Sequence, residues 1–318
     1  MNFFIKISNV HILIKVDNIV IFKAVKEFFS GYSLIKDISE KVDIEINIYS
    51  EKKIMGKFNI RQPHLFSYGR IKGYRLDNGK LLLSDQSTFV VIDETTNTAD
   101  AYVDTSILKR GTEFVSIFLT ITLIELLRHN GLYYLHAGAI KKKKHSILLC
   151  GMGMSGKTTL SIGLASKGYL LCSDDAVFLR NRNNKIQAIG FKKDIHVTND
   201  TLQRYKHVFD DIKPAQPPFR KTSVPYRKFK TINTITPNII IFLQRTGLST
   251  THVTPIGLTK AMSFLIPQSL MLFFNKNIAD KHVAVLKALI HQTENYLCLC
   301  GTDLLEDPLI ILKEVSKK

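Results

Sequence analysis

The sequence predicts an α/β protein, α+β overall, with a β-rich N-terminal domain over residues 1–110 ahead of a phosphate-loop domain over residues 111–318. Three observations carry this expectation. The N-terminal third shows period-two alternation and hairpin turns. The middle of the chain holds Gly151-Met152-Gly153-Met154-Ser155-Gly156-Lys157-Thr158 between an apolar strand and a helical segment. Beyond that segment a further apolar strand ends at Ser173-Asp174-Asp175.

In residues 3–16 and 42–49 apolar positions alternate, the mark of strands with one buried face. Residues 20–29 fit one short helix. Asp77-Asn78-Gly79 lies between apolar runs at 74–76 and 81–83. Asn-Gly accepts the positive φ angles of a tight hairpin, so this is a turn signal with a mechanism. Residues 89–92 and 101–103 flank a polar turn and predict a second hairpin. The His and Asp residues of this part are isolated, and a solvated or core role is expected for each. Residues 113–129 turn to helical spacing. Their apolar stretch, 114–127, carries Glu125 and is too short to span a bilayer.

Residues 132–140 read as one apolar strand containing His136, 141–144 as a basic turn, and 145–150 as a second strand leading into the glycine-rich loop. Residues 158–167 predict the following helix, which Gly168 ends, and 169–172 a return strand. Residues 200–230 are rich in Pro and Lys and are expected to be irregular. Residues 239–243 predict a buried strand, 281–291 a helix, and 296–300 the last strand. There are no internal repeats.

Composition narrows the class. The chain has 318 residues, 45% hydrophobic and 22% charged, which is ordinary for a globular protein and excludes fibrous and disordered classes. Lys and Arg number 44 against 27 Asp and Glu, a formal net charge of +17. Such a balance favours anionic partners, and a generically lysine-rich surface would give the same figure. The four cysteines, Cys150, Cys172, Cys298 and Cys300, have no zinc spacing and are expected to be buried reduced thiols. The first ten residues lack the apolar core of a signal peptide, so a cytoplasmic location without a membrane span is expected.

The glycine-rich loop carries the first chemical signal. Glycines at 151, 153 and 156 let successive backbone N–H groups curl around the β- and γ-phosphates of a nucleoside triphosphate, and the following helix points its positive end at the same anion. Gly151, Gly153, Met154, Ser155, Gly156, Lys157, Thr158 and Thr159 are the expected nucleotide-binding set, for ATP or GTP. Lys157 reaches the β- and γ-phosphates, and the Thr158 hydroxyl is an expected Mg²⁺ ligand.

The second signal is the acid pair. Asp174 and Asp175, delivered by an apolar strand one helix after the loop, suit two tasks: one acid holds Mg²⁺ and the other accepts the proton of an attacking hydroxyl. Ser-Asp-Asp is also good turn chemistry, so a surface turn is the alternative. Adjacent residues at a strand end point to opposite sides, so the two acids are not expected to share one role.

The run Leu135-His136-Ala137, the strand and phosphate loop after it, and the run from Lys167-Gly168-Tyr169 to Ser173-Asp174-Asp175 resemble the catalytic domain of HPr kinase/phosphorylase over residues 130–200. Gly190-Phe191 and Gly301-Thr302-Asp303-Leu304 are weaker echoes of the wider HPr-kinase-like group. The resemblance implies a P-loop core shared with PEP carboxykinase. It places His136 near the phosphates as a catalytic residue, although a lone His on an apolar strand is more often a hydrogen-bonded core residue. It implies Asp174 as the base and Asp175 on the Mg²⁺ side, and it makes Lys221 the pick for a phosphoryl clamp in the basic stretch with Arg220, Arg227, Lys228 and Lys230. The N-terminal part does not resemble the regulatory domain of HPr kinase, and the glycine-rich signature that binds HPr is absent. HPr is therefore not the expected acceptor.

What the resemblance implies is an ATP-dependent serine kinase acting on a peptide or small protein, of the kind that phosphorylates the C-terminal serine of lasso-type precursor peptides. Two alternatives stay open: a small-molecule kinase acting on free serine or a sugar, and a non-catalytic nucleotide-binding regulatory module. Nucleic acid is not an expected partner, since no recognition signature with interleaved aromatics is present. Homo-oligomerisation is left open.

Overall fold

The structure is a computed structural model that describes residues 1–35, 41–50, 58, 60, 63–85, 88–104, 114–216, 221–269 and 275–316. The chain divides into two compact units, Met1–Gly131 and Leu132–Lys318.

The first unit is built on one eight-stranded sheet, in the order β1-β2-β3-β8-β7-β6-β5-β4. Its strands are β1 (Asn2–Ile7), β2 (Val10–Val16), β3 (Ile44–Tyr49), β4 (Phe66–Tyr68), β5 (Ile71–Arg75), β6 (Leu81–Ser84), β7 (Phe89–Asp93) and β8 (Thr98–Tyr102). Alternation does what period-two patterns require: Ile44, Ile46 and Ile48 are buried on one face of β3. The Asp77-Asn78-Gly79 turn joins antiparallel β5 and β6, with Gly79 at φ +80°. Helix α1 (Ile19–Phe28) begins at Asn18, whose side chain accepts the N–H groups of Val20 and Ile21.

The expected helix over residues 113–129 starts differently from its pattern. Residues Phe114–Leu119 form a π-helix, and α2 (Thr120–His129) follows; Glu113 lies outside the described residues. Helix α2 packs near β7, so the unit boundary falls after Gly131, beyond the 110/111 division read from the sequence.

The buried face of α2 carries charge. Arg128 Nη2 lies 2.6 Å from Glu125 Oε1, with both side chains essentially inaccessible. His129 Nε2 is 3.6 Å from carboxylate oxygens of both Glu125 and Glu94, and Arg75 Nη1 is 2.8 Å from Glu94. Glu94, Glu125 and His129 are close enough together to share a metal ion. Each carboxylate already faces a guanidinium, however, and a cation would add uncompensated positive charge to a buried neutral cluster. The arrangement reads as an ion-pair network. Glu125→Ala is expected to cost about 3–5 kcal/mol, because it removes the carboxylate that pairs with the buried Arg128. Chemical denaturation measures this, and a loss near zero would show that Arg128 is neutralised by another group.

The second unit is built from three sheets. The six-stranded sheet has the order β12-β10-β11-β18-β20-β19, from β10 (Ala137–Lys142), β11 (His145–Cys150), β12 (Leu170–Ser173), β18 (Ile239–Arg245), β19 (His252–Pro255) and β20 (Glu294–Cys300). Strands β11, β18 and β20 are parallel, while β10, β12 and β19 run antiparallel to their neighbours. The four-stranded sheet β17-β14-β13-β9 uses β9 (Tyr133–Leu135), β13 (Val177–Arg182), β14 (Lys185–Gly190) and β17 (Thr234–Ile235). A ribbon pairs β15 (Ile195–Thr198) with β16 (Lys221–Val224).

Helices α3 (Lys157–Ser166), α4 (Asn199–Arg204), α7 (Asp303–Glu306) and α8 (Ile310–Val315) contribute Leu160, Leu164, Leu202, Leu304 and Ile311 to one core of the large sheet. Helices α5 (Leu258–Leu265) and α6 (Lys276–Gln292) share the other core with the four-stranded sheet. Among the described residues no helix is long and apolar enough to cross a membrane. All four cysteines are free and buried.

Two readings need correction. Residues 132–140 are not one strand: β9 belongs to the four-stranded sheet and β10 to the six-stranded sheet, with His136 between them. The His136 N–H is donated to the Gln268 carbonyl at 2.8 Å, outside either ladder. The stretch 200–230 is not wholly irregular, since α4, β16 and a short 3₁₀ turn at Tyr226–Lys228 lie within it. Val224 and Tyr226 bury there, which gives that polar stretch an anchor.

Candidate functional site

The chain passes between the six-stranded and four-stranded sheets of this unit at His136, at Asp174-Asp175, where β12 gives way to β13, and again between β17 and β18. The first two crossings meet: His136 Nδ1 lies 3.1 Å from Asp175 Oδ1. The glycine-rich loop opens beside them, because β11 neighbours β10 and α3 runs back over the sheet.

The loop follows its residues. A Cβ at Gly151 would lie 2.5 Å from Ser155 Oγ and 2.8 Å from the Leu243 carbonyl oxygen, so only glycine fits. Gly156, at φ +96°, turns the chain into α3. Met154 takes φ +66° without glycine's freedom, and the residue is 88% exposed. Strain of this kind gathers where backbone is shaped for a ligand. The first turn of α3 has no intrahelical acceptors for its N–H groups, as at any helix start.

Lys157 is buried, and its Nζ donates to the carbonyls of Gly151 at 2.6 Å and Met152 at 3.2 Å. Burial pulls its pKa down, opposed by the charges of Asp175, Cys150 and Asp174. Thr158 Oγ1 donates to Asp174 Oδ2 at 3.2 Å. Thr159 Oγ1 instead shares a 2.9 Å hydrogen bond with Thr201 at the start of α4. Ser155 Oγ is buried with no hydrogen-bond partner among the described residues.

The two acids face apart. Asp174 is buried against Thr158, and burial, then the charge of Asp175, pushes its pKa up to about 7. Asp175 is one-third exposed. Burial would raise its pKa too, but Lys193, His136 and Lys157 outweigh this and hold it below the usual carboxylate range. Burial pushes His136 below its ordinary value against the pull of Asp175. A neutral imidazole donating Nδ1–H to the Asp175 carboxylate meets both demands. Burial lowers the pKa of His196, the charges of Lys193 and of Lys221, on β16, lower it further, and Lys221 adds in the same direction at Lys157.

A raised Asp174 pKa has a pH signature. The folded chain holds this proton more tightly than the unfolded chain, so stability should fall as pH rises from the ordinary carboxylate value of 3.8 to about 7, then level off. Thermal melts in metal-free, nucleotide-free buffer should show the decline in wild type and lose that component in Asp174→Asn. An unchanged profile in the variant would assign the decline elsewhere.

The site fits a triphosphate with a divalent cation. A buried ammonium satisfied by carbonyls alone, an orphaned Ser155 hydroxyl and a buried carboxylate with one hydroxyl neighbour are costly without a charged ligand. Sequence reasoning missed two contributors. Lys193 Nζ lies 3.2 Å from Asp175 Oδ2. Gln268 receives the His136 N–H on its carbonyl and places its amide 3.3 Å from Met152 Sδ. The signal for Lys193 was Gly190: a Cβ there would collide with the Cys172 carbonyl, so β14 runs hard against β12 and carries the next turn toward the acids.

No protein-family model matches the chain, and no curated protein matches it. Among solved structures it is similar to the HPr(Ser) kinase/phosphatase from Coxiella burnetii. That likeness has 14% identity and a TM-score of 0.33, and covers 58% of this chain and 94% of the other. Identity and score this low leave the chain's own geometry as the basis for reading its chemistry.

Proposed function

We propose that the Leu132–Lys318 unit is an ATP-dependent kinase that transfers the γ-phosphoryl group to a hydroxyl, that of a serine in a peptide or small protein. One observation carries the reading. The phosphate loop's Thr158 touches one acid of the pair, while the other turns away to His136 and Lys193. Binding a nucleotide calls for the loop; two acids held apart with separate partners suit a transfer reaction.

In this reading Lys157 and the loop N–H groups bind the β- and γ-phosphates. Thr158 and Asp174 would hold Mg²⁺, which screens the phosphate charge when bound. Asp175, the more exposed acid, accepts the proton of the acceptor hydroxyl as that oxygen bonds to the γ-phosphorus and the bond to the β-phosphate oxygen breaks. The proton ends on Asp175, and ADP leaves. His136 donates to Asp175 throughout and orients it. This order of the acids is the reverse of the one implied by the sequence resemblance, and burial together with the Thr158 contact supports it. Lys221 is the proposed phosphoryl clamp. The peptide acceptor rests on that resemblance and on the charge of +17, which suits an anionic partner.

The test uses the full chain with γ-labelled ATP, Mg²⁺ and three acceptors in parallel: serine-bearing peptides, free serine and a sugar. Label on the peptide supports the proposal. Label on free serine or sugar alone would make this a small-molecule kinase. Tight ATP binding with no transfer to any acceptor or to water would make it a nucleotide-binding regulatory module.

A further inference from the structure

Asp175 is gripped at both oxygens. His136 Nδ1 lies 3.1 Å from Oδ1, and Lys193 Nζ lies 3.2 Å from Oδ2. The two donors come from different parts of the chain, His136 from the β9–β10 crossing and Lys193 from the segment after β14. A carboxylate held by one donor swings about its terminal torsion, which has no sharp staggered wells. Held by two, it has one orientation, and each oxygen keeps acceptor capacity for a further hydroxyl.

The placement of Lys193 is built. Gly190 has no Cβ to strike the Cys172 carbonyl, so the end of β14 lies directly on β12. The Phe191 N–H then bonds the Ala176 carbonyl at 3.0 Å, next to the acid pair. The Lys193 N–H turns back to the Phe191 carbonyl at 3.1 Å, which folds the segment over the site. The backbone that carries Lys193 is thus anchored at Ala176, the residue beside Asp175, and the lysine side chain is only 23% exposed.

We propose that Lys193 is a positioning residue of the transfer site: its ammonium holds the Asp175 carboxylate in the orientation that receives the acceptor hydroxyl's proton. This rests on the kinase reading above. Lys193 acts through Asp175, so its removal slows transfer and leaves nucleotide binding, the work of the loop, intact.

The experiment follows ATP hydrolysis, with water as the acceptor, and ATP·Mg²⁺ binding by calorimetry. It compares the full-length wild type, Lys193→Met, Lys193→Arg, Asp175→Asn and the double variant Asp175→Asn/Lys193→Met. A misplaced base costs about 10²-fold in rate, so Lys193→Met should lower kcat by that order with ATP·Mg²⁺ affinity unchanged. Lys193→Arg, which keeps the charge, should recover most of the rate. The double variant should be no slower than Asp175→Asn alone, because the two residues act as one unit. A purely structural lysine would give additive losses in the double variant, and that result overturns the inference, as does a wild-type rate in Lys193→Met. Should Lys193→Met fail to fold by circular dichroism, Lys193→Gln takes its place in the same cycle. A wild type that neither binds nor hydrolyses ATP overturns the kinase reading and the inference with it.

Discussion

Lys157→Ala is expected to reduce phosphoryl transfer by at least about 10²–10³-fold, the scale on which one preorganised charge-stabilising donor acts. It should also weaken ATP·Mg²⁺ binding. The buried ammonium reaches only the Gly151 and Met152 carbonyls in the free protein, and its pKa is pulled down by burial, so the folded state bears a desolvation cost for it. A group that costs the free protein and is compensated by an anionic ligand belongs to binding. Its loss should therefore leave the melting temperature near wild type while label transfer from γ-labelled ATP disappears. Calorimetry and label transfer on the same preparation decide the matter. Wild-type turnover in the variant would remove the loop from the mechanism.

The second large effect separates the acids. Asp175→Asn keeps the shape and one of the two acceptor oxygens but no longer accepts a proton. Single-turnover transfer should fall by about 10²–10⁴-fold, the usual worth of a general base, with ATP·Mg²⁺ affinity close to wild type. Asp174→Asn should do the opposite first: the Mg²⁺ concentration needed for half-maximal ATP binding rises, because the carboxylate beside Thr158 is gone. Titrating Mg²⁺ and ATP into each variant, then measuring transfer, gives two independent readings. If Asp174→Asn loses only the chemical step and Asp175→Asn loses metal affinity, the roles are exchanged and the order implied by the sequence resemblance stands. If both variants bind and transfer normally, Ser173-Asp174-Asp175 is a turn and the transfer reading fails.

Much of the site was legible because its signals are local. A glycine-rich loop needs small residues at fixed offsets, a strand before it and a helix after it, and all of these lie within one stretch from His145 to Ser166. The Asp77-Asn78-Gly79 hairpin and the alternation in β3 were legible for the same reason. The π-helix before α2 was not, since its side-chain pattern resembles an α-helix closely enough to hide the change of hydrogen-bond partner. The β13–β14 hairpin also escaped notice, because its turn, Asn183-Asn184, sits in a polar stretch with few apolar residues to mark the strand ends.

By itself the sequence determined the glycine-rich loop, the strand that feeds it, the acids one helix away and their divergence, because backbone geometry fixes these over short spans. Which acid meets Thr158, and that His136 marks a crossing between two sheets, were decided only by tertiary structure. So was the second grip on Asp175. Lys193 reaches it because β14 packs against β12 through Gly190, a contact between strands whose partners are chosen by burial and sheet pairing across the whole unit. A charge in sequence has no preferred partner; the partner is whatever the core brings within reach of it.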